Sequence, residues 1–360
     1  MEKSHKTTGN IGEWSELYAL GSILSNGGVF GANKDQEKIK ELFYRVLKIV
    51  FFENQNHNKF EYFIGNKNVN LFLNNRKVKS IESKKIEKVL IKVFKELSVS
   101  NEGRAFNIKS GEEMMALLNK KVIKASSSDK KDLDLVMVDI KTGAPTPEIG
   151  FSIKSQLGSP STLINASRAT NFTFEVLDSE MKIPKGLPIL HDKNVKDNIN
   201  LLLDSGYKII FNKVDSEIFQ KNISLIDSSL PNYLADILLS YYSRNGNNMV
   251  DLVDITFSGN KNKFDQASHK IKEFLSIMAL GMMPNTPWNG ILTSLGGFLL
   301  VKKDGDVLCY YLYNMDSFQD YLINSTKLDT PSTTRYGIGK IIKENDRFYI
   351  KLNLQVRFIK

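Results

Sequence analysis

Asp134, Ser152 and Lys154 are the residues whose types and spacing best suit chemistry on a phosphate ester. Asp134 stands at the head of an apolar run, Leu135-Val136-Met137-Val138. Ser152 and Lys154 fall in a second run, Glu148 to Ser155, where Ile149, Phe151 and Ile153 alternate with Gly150, Ser152 and Lys154. The link between the runs carries Gly143, Pro145 and Pro147, so the pair reads as a hairpin. Residues two apart on a strand share a face, which points Ser152 and Lys154 together, opposite Phe151 and Ile153. A lysine held beside a strand-borne aspartate is what metal-assisted phosphodiester hydrolysis requires. The carboxylate holds Mg²⁺, and the ammonium steadies or deprotonates the attacking water. A surface hairpin with one polar face carries the same letters, so periodicity leaves both readings open. The stretch that follows, Gln156 to Ser167, is crowded with small hydroxyl and amide side chains suited to phosphates and base edges.

Elements able to position these side chains are legible on both sides. Gly9, Asn10 and Gly12 precede a helical pattern of Trp14, Leu17, Tyr18, Leu20, Gly21 and Leu24. Glu13 and Glu16, three apart, share one side of that helix, where the helix dipole also favours acids. Residues 41–80 hold β-type runs at Leu42 to Phe52, Phe60 to Ile64, Val69 to Leu73 and Val78 to Ile81, the first long enough to be a helix instead. A basic amphipathic helix is predicted over 82–98, and a second one is predicted to be capped by Ser110 and to end near Lys121. A further helix is expected from about Ser161 to Ala169. Together these predict an α/β class, a mixed sheet flanked by helices.

Beyond Val176, Ile183-Pro184-Lys185-Gly186-Leu187-Pro188 reads either as a boundary, separating a core of residues 1–180 from a C-terminal α+β region of residues 181–360, or as one loop inside a single compact unit. That region should hold helices at 199–204, 233–242, 264–280 and 317–324. A strand is expected at 207–211, a hairpin at 298–301 and 307–313, and a last hairpin at 339–342 and 348–358. In the loop Gly281 to Gly290, Trp288 offers an amphipathic ring to nucleic acid or to the core. Asp329 to Arg335 is a small-polar loop ending in Arg335, a side chain able to read guanine or grip phosphate.

Over 360 residues, 49 Lys+Arg outweigh 40 Asp+Glu for a formal charge of +9, and the isoelectric point is near 9.2. This balance fits a polyanionic partner. The lone cysteine, Cys309, lies in an apolar run and reads as core, which excludes disulfide scaffolding. No apolar stretch is long enough to span a bilayer, and the start is polar, so a soluble, cytoplasmic chain is expected. The histidines show no zinc spacing, and there is no Walker-type loop.

Several blocks, in order along nearly the whole chain, resemble the HpaII-type type II restriction endonucleases. They are Gly9 to Glu16, Asp132-Leu133-Asp134, Gly150 to Leu163, Asn165-Ala166-Ser167, Ala169 to Phe172, Met283 to Gly290 and Leu328 to Arg335. The resemblance implies a restriction-endonuclease-like sheet and Mg²⁺-dependent cutting of a short palindromic DNA site, CCGG for the namesake, leaving 5′-phosphates. It further implies a homodimer on double-stranded DNA and a cognate methyltransferase as functional partner. In such nucleases an acid usually stands two residues before the lysine; here Ser152 stands there, so a second carboxylate must come from elsewhere. Glu13 and Glu16 are the candidates, ahead of Glu175, with Glu13 preferred for its spacing from the glycines, and Asp132 on the face of Asp134 in support. The implied metal set is Asp134, Glu13 or Glu16, and the Ile153 carbonyl. Lys154 handles the water, while Ser152 and Gln156 position water or phosphate. Implied DNA contacts are Ser155, Ser159, Ser161, Asn165, Arg168, Asn171, Trp288, Thr334 and Arg335. A repair or junction-resolving nuclease on the same core, or a silent DNA-binding protein, would carry the same blocks with a different outcome.

Overall fold

The computed structural model describes residues 7–53, 58–100, 105–123, 131–190, 194–291 and 296–359. The chain forms two compact units: Met1–Ser161 with Thr293–Phe318, and Thr162–Leu292 with Gln319–Ile359. The chain therefore leaves its first unit and later returns to it, and a single cut near residue 180 does not describe the units.

The first unit opens with helix α1 (Ile11–Asn26), whose N-terminus Asn10 caps and whose end Gly27 terminates in the left-handed conformation at φ 72°. Strands β1 (Gly28–Ala32), β2 (Lys38–Glu53), β3 (Asn58–Ile64), β4 (Asn68–Leu73) and β5 (Arg76–Glu82) follow, then helices α2 (Ser83–Ser98) and α3 (Lys109–Leu118). Strands β6 (Leu133–Met137) and β7 (Ile149–Ser155) form the expected hairpin. The second unit starts with β8 (Thr162–Ile164), a 3₁₀ turn at Arg168–Thr170, and β9 (Asn171–Leu177). It continues through α4 (Val195–Asp204), β10 (Lys208–Val214), α5 (Glu217–Ile226), α6 (Leu230–Tyr242), α7 (Met249–Phe257) and α8 (Lys261–Ala279). The chain then supplies β11 (Gly297–Val301) and β12 (Val307–Tyr311) to the first unit. Last come α9 (Met315–Asn324), β13 (Thr326–Leu328), α10 (Thr333–Tyr336), β14 (Ile341–Glu344), β15 (Arg347–Asn353) and β16 (Val356–Phe358).

In the first unit the strand order is β1-β12-β11-β7-β6-β2-β3-β4-β5, and β1 also pairs with β2, closing a ring of six strands. Long β2 makes this possible: Lys38 to Arg45 pair with β1, whereas Val46 to Val50 pair with β6. The sheet is mixed, since β7 runs antiparallel to β6 and parallel to β11. Helix α1 packs against β7 and is buried on nearly every side, as a helix apolar all round must be. Trp14 is fully buried, with its indole N–H donating to the Phe106 carbonyl at 3.0 Å.

In the second unit, β10-β9-β15-β14 form an antiparallel sheet and β13-β16-β8 a smaller one. Phe172, Phe174, Val176, Ile350 and Leu352 form the buried face of the larger sheet, with Phe172 set edge-on to Phe219 of α5. Thr173, Glu175 and Lys351 alternate to the other face.

Two local expectations need correction. Residues 161–169 are not a helix. β-branched Thr162 and Ile164 join a sheet edge, and the Thr170 hydroxyl accepts from the Ser167 N–H at 3.1 Å, fixing a 3₁₀ turn in place of a helical start. Ser110 does not cap α3; Ile108 holds that position and Ser110 lies buried inside the helix.

Candidate active site

The β6–β7 ladder ends at Leu133–Phe151, with a last backbone bond from the Asp132 N–H to the Phe151 carbonyl at 2.8 Å. From there no strand among the described residues pairs with β7 on that edge, and the Asp132 side chain takes over the pairing. Its Oδ2 accepts from the Ile153 N–H at 2.6 Å, and the Ser152 hydroxyl donates to the same carboxylate. Strand alternation turns the Ile153 carbonyl to this edge as well. Lys154 is next on the face of Ser152, its Nζ 5.3 Å from the Phe298 ring centroid. Burial pushes the Lys154 pKa down, against the pull of Asp132 and then Glu16. Burial likewise pushes the Asp132 pKa up, against the Ile153 N–H, Lys154 and Ser152. Two opposite charges are thus held at one strand end where both are costly to hydrate poorly.

Asp134 is placed differently. It pairs across with Val50, is 5% exposed, and both its oxygens accept from Lys131 Nζ, at 2.9 and 3.0 Å. Asp132 and Asp134 share a face, but only Asp132 stands where the ladder stops and Ser152, Ile153 and Lys154 are within reach. Glu13 closes a capping box, its Oε2 accepting from the Asn10 N–H at 2.9 Å. Glu16 is the acid on α1 whose charge acts on Lys154, and it also acts on Lys120. Lys120 escaped the sequence reading. It is 9% exposed, with Nζ 4.2 Å from the centroid of the Phe51 ring, and burial pushes its pKa down to about 8. Gln156 turns its amide to Gln36. Ser155 accepts from the Ser15 hydroxyl at 2.8 Å, tying β7 to α1. Glu13, Lys154, Ser155, Ser159 and Ser161 line one cleft of about 650 Å³.

Among the described residues no three His, Cys, Asp or Glu side chains cluster as a metal cage. The strand end offers instead one carboxylate, Asp132, and the Ile153 carbonyl. These are hard oxygen donors that suit a dication keeping several waters and substrate oxygens in its shell.

Further candidates lie in the second unit. Arg168, Asn171 and Thr334 line a cleft of about 570 Å³. Arg168 and Thr334 are exposed, but Asn171 is 3% exposed and spends its amide on the protein: it donates to the Tyr336 carbonyl at 3.0 Å and accepts from Asn353 at 2.7 Å. Arg335 is exposed on α10, its guanidinium 5.5 Å from the centroid of the Tyr336 ring. Asn165 is exposed after β8. Trp288 donates its indole N–H to the Ile291 carbonyl at 3.1 Å, and buried Asn222 holds its loop through the Met283 and Thr286 carbonyls and the Trp288 N–H. Both explain much of Trp288 without a ligand. No helix among the described residues is long and apolar enough to cross a membrane.

The HpaII restriction endonuclease family matches residues 10–358. The chain belongs to that family. The type II restriction enzyme HpaII of Haemophilus parainfluenzae is 38% identical over 361 residues, covering 98% of this chain and 99% of the relative. No solved structure matches the chain. Membership of the HpaII family makes the chain a site-specific deoxyribonuclease of the type II restriction class. The family match spans both the Asp132–Lys154 strand end and the Arg168 cleft.

Proposed function

We propose that this HpaII-family chain cuts both strands of a short palindromic DNA site, CCGG-like, with Mg²⁺ as cofactor, and leaves 5′-phosphates. The reading takes its first unit as a restriction-endonuclease-like core. It rests chiefly on one observation, the Asp132–Ile153 N–H bond that sets a carboxylate, a strand carbonyl and a partly buried lysine at one ladder end.

Asp132 and the Ile153 carbonyl would hold the metal, with Glu16 as the supporting acid of α1. When bound, the metal would neutralise charge growing on the phosphate oxygens and acidify a water. Lys154 orients that water or takes its proton. Its burial favours the neutral amine more than a surface lysine's would, while the charge of Asp132 opposes that shift. Ser152, standing where an acid is usual, holds the Asp132 carboxylate in place by donating to it. Ser159 and Ser161 offer hydroxyls to the backbone phosphates entering the cleft. Arg168, Thr334 and Arg335 carry recognition in the second unit. A palindrome is met most simply by a two-fold homodimer, and a cognate methyltransferase would protect host DNA.

The test is digestion of unmethylated phage DNA with and without Mg²⁺ by wild type, Asp132→Ala, Lys154→Ala and Asp134→Asn. Discrete fragments are expected from wild type and Asp134→Asn, and none from the other two. Cutting by Asp132→Ala but not by Asp134→Asn would return the metal to Asp134.

A further inference from the structure

We infer that Asp215 and Lys351, together with Arg168, form an edge in the second unit that reads a G·C base pair. This rests on reading the chain as a CCGG-type endonuclease and assigns the specificity to particular side chains.

The cleft is built, and buried amides build it. Asn353 is fully buried, and its Nδ2 donates to the Ser167 carbonyl at 2.8 Å, the Thr170 hydroxyl at 3.1 Å and the Asn171 Oδ1 at 2.7 Å. Asn171 carries the tie onward to the Tyr336 carbonyl at 3.0 Å. The turn bearing Arg168 and the helix bearing Thr334 are therefore locked to one frame. Asp215 joins it through its own N–H, which donates to the Asn171 carbonyl at 2.9 Å. Such a frame fixes side chains before a ligand arrives, which lowers the ordering cost of binding.

The side chains aimed into this frame are chemically complementary to one base pair. Asp215 accepts from Thr173 at 2.5 Å and from Lys351 at 2.7 Å, one bond on each oxygen. A carboxylate has about four acceptor positions, so roughly two remain. Asp215 is 16% exposed at its side chain and Lys351 29%, so the pair sits at the cleft wall, open enough to be touched. The guanidinium of Arg168 is exposed and has no side-chain partner among the described residues. In the major groove guanine offers two acceptors, N7 and O6, and cytosine offers an amino donor. Arg168 suits the first and Asp215 the second. Thymine would bring its O4 acceptor against the Asp215 carboxylate, so the same wall that accepts cytosine rejects thymine.

The experiment first establishes the wild-type profile, by cleavage and by metal-free binding, on a duplex carrying the mapped site and on duplexes with each single base-pair change. Arg168→Ala, a surface change that leaves the buried frame intact, should cut discrimination at one G·C position about tenfold or more while the other positions hold. Asp215→Asn, whose amide also offers a donor, should relax the same base pair, and its melting temperature is measured alongside. Equal weakening on every duplex, with a shallower salt dependence, would make Arg168 a phosphate contact and overturn the proposal. So would an unchanged Arg168→Ala profile. A wild type that never cuts at discrete sites would instead sink the restriction-endonuclease reading itself.

Discussion

The strand end of the first unit and the cleft of the second are both polar, yet they are held by opposite means. At the strand end the titratable groups themselves make the supporting bonds: Asp132 accepts from Ile153 where a ladder partner would, and burial disfavours both its charge and that of Lys154. In the cleft, uncharged buried amides carry the frame, and Arg168 is left exposed. A group that must exchange protons gains from a perturbed environment. A group that must only match a hydrogen-bond pattern gains from a rigid base that fixes where it points.

If that contrast is right, damage to the two regions separates. Lys154→Met should lower the cleavage rate by about 10²–10⁴-fold with binding to the site retained, measured by single-turnover digestion beside a gel-shift assay. Loss of binding with the rate would merge the two regions and break the comparison. Asn353→Ala removes one amide nitrogen whose two N–H donors serve three acceptors, so it should cost about 2–3 kcal/mol in urea unfolding and relax sequence preference before it slows cutting at the correct site. The smallest effects come from α1 and sharpen the picture. Glu16→Gln should slow cleavage by roughly tenfold, because Lys154 loses a supporting charge. Glu13→Gln keeps the capping-box bond and should stay within about 0.5 kcal/mol of wild-type stability with little change in rate. Equal losses from both would mean that α1 serves the site through its fold alone.

Much of this was legible in the chain. Alternation at Ile149 to Ser155 placed Ser152 and Lys154 on one face, and β2 to β5, α2, α6 and α8 follow their apolar spacing. The preference proposed above for Asp132 over Asp134 has no counterpart in the sequence, because both have the same strand parity and the proposal turns on where a ladder stops. Asp215 and Lys351 left no signal, since each is an unremarkable polar residue until β9, β10 and β15 align. The helix expected over 161–169 failed because small polar residues there satisfy a local turn, a competition that helical spacing does not register. Pairing of β7 with β11 spans well over a hundred residues, and no local pattern announces it.

That last pairing ties the strand end to residues far along the chain. The strand bearing Ser152 and Lys154 gains its second neighbour only when Gly297–Val301 has been made, after the ribosome has delivered the whole intervening stretch of the second unit. Long-range closure of this kind is slow, because loop entropy must be overcome before the contacts reward it. A nascent chain stalled before that point carries every residue of the strand end and an open sheet edge beside it. The strand end thus depends for one of its two edges on residues laid down far along the chain, so its completion is tied to the interleaved order of the units.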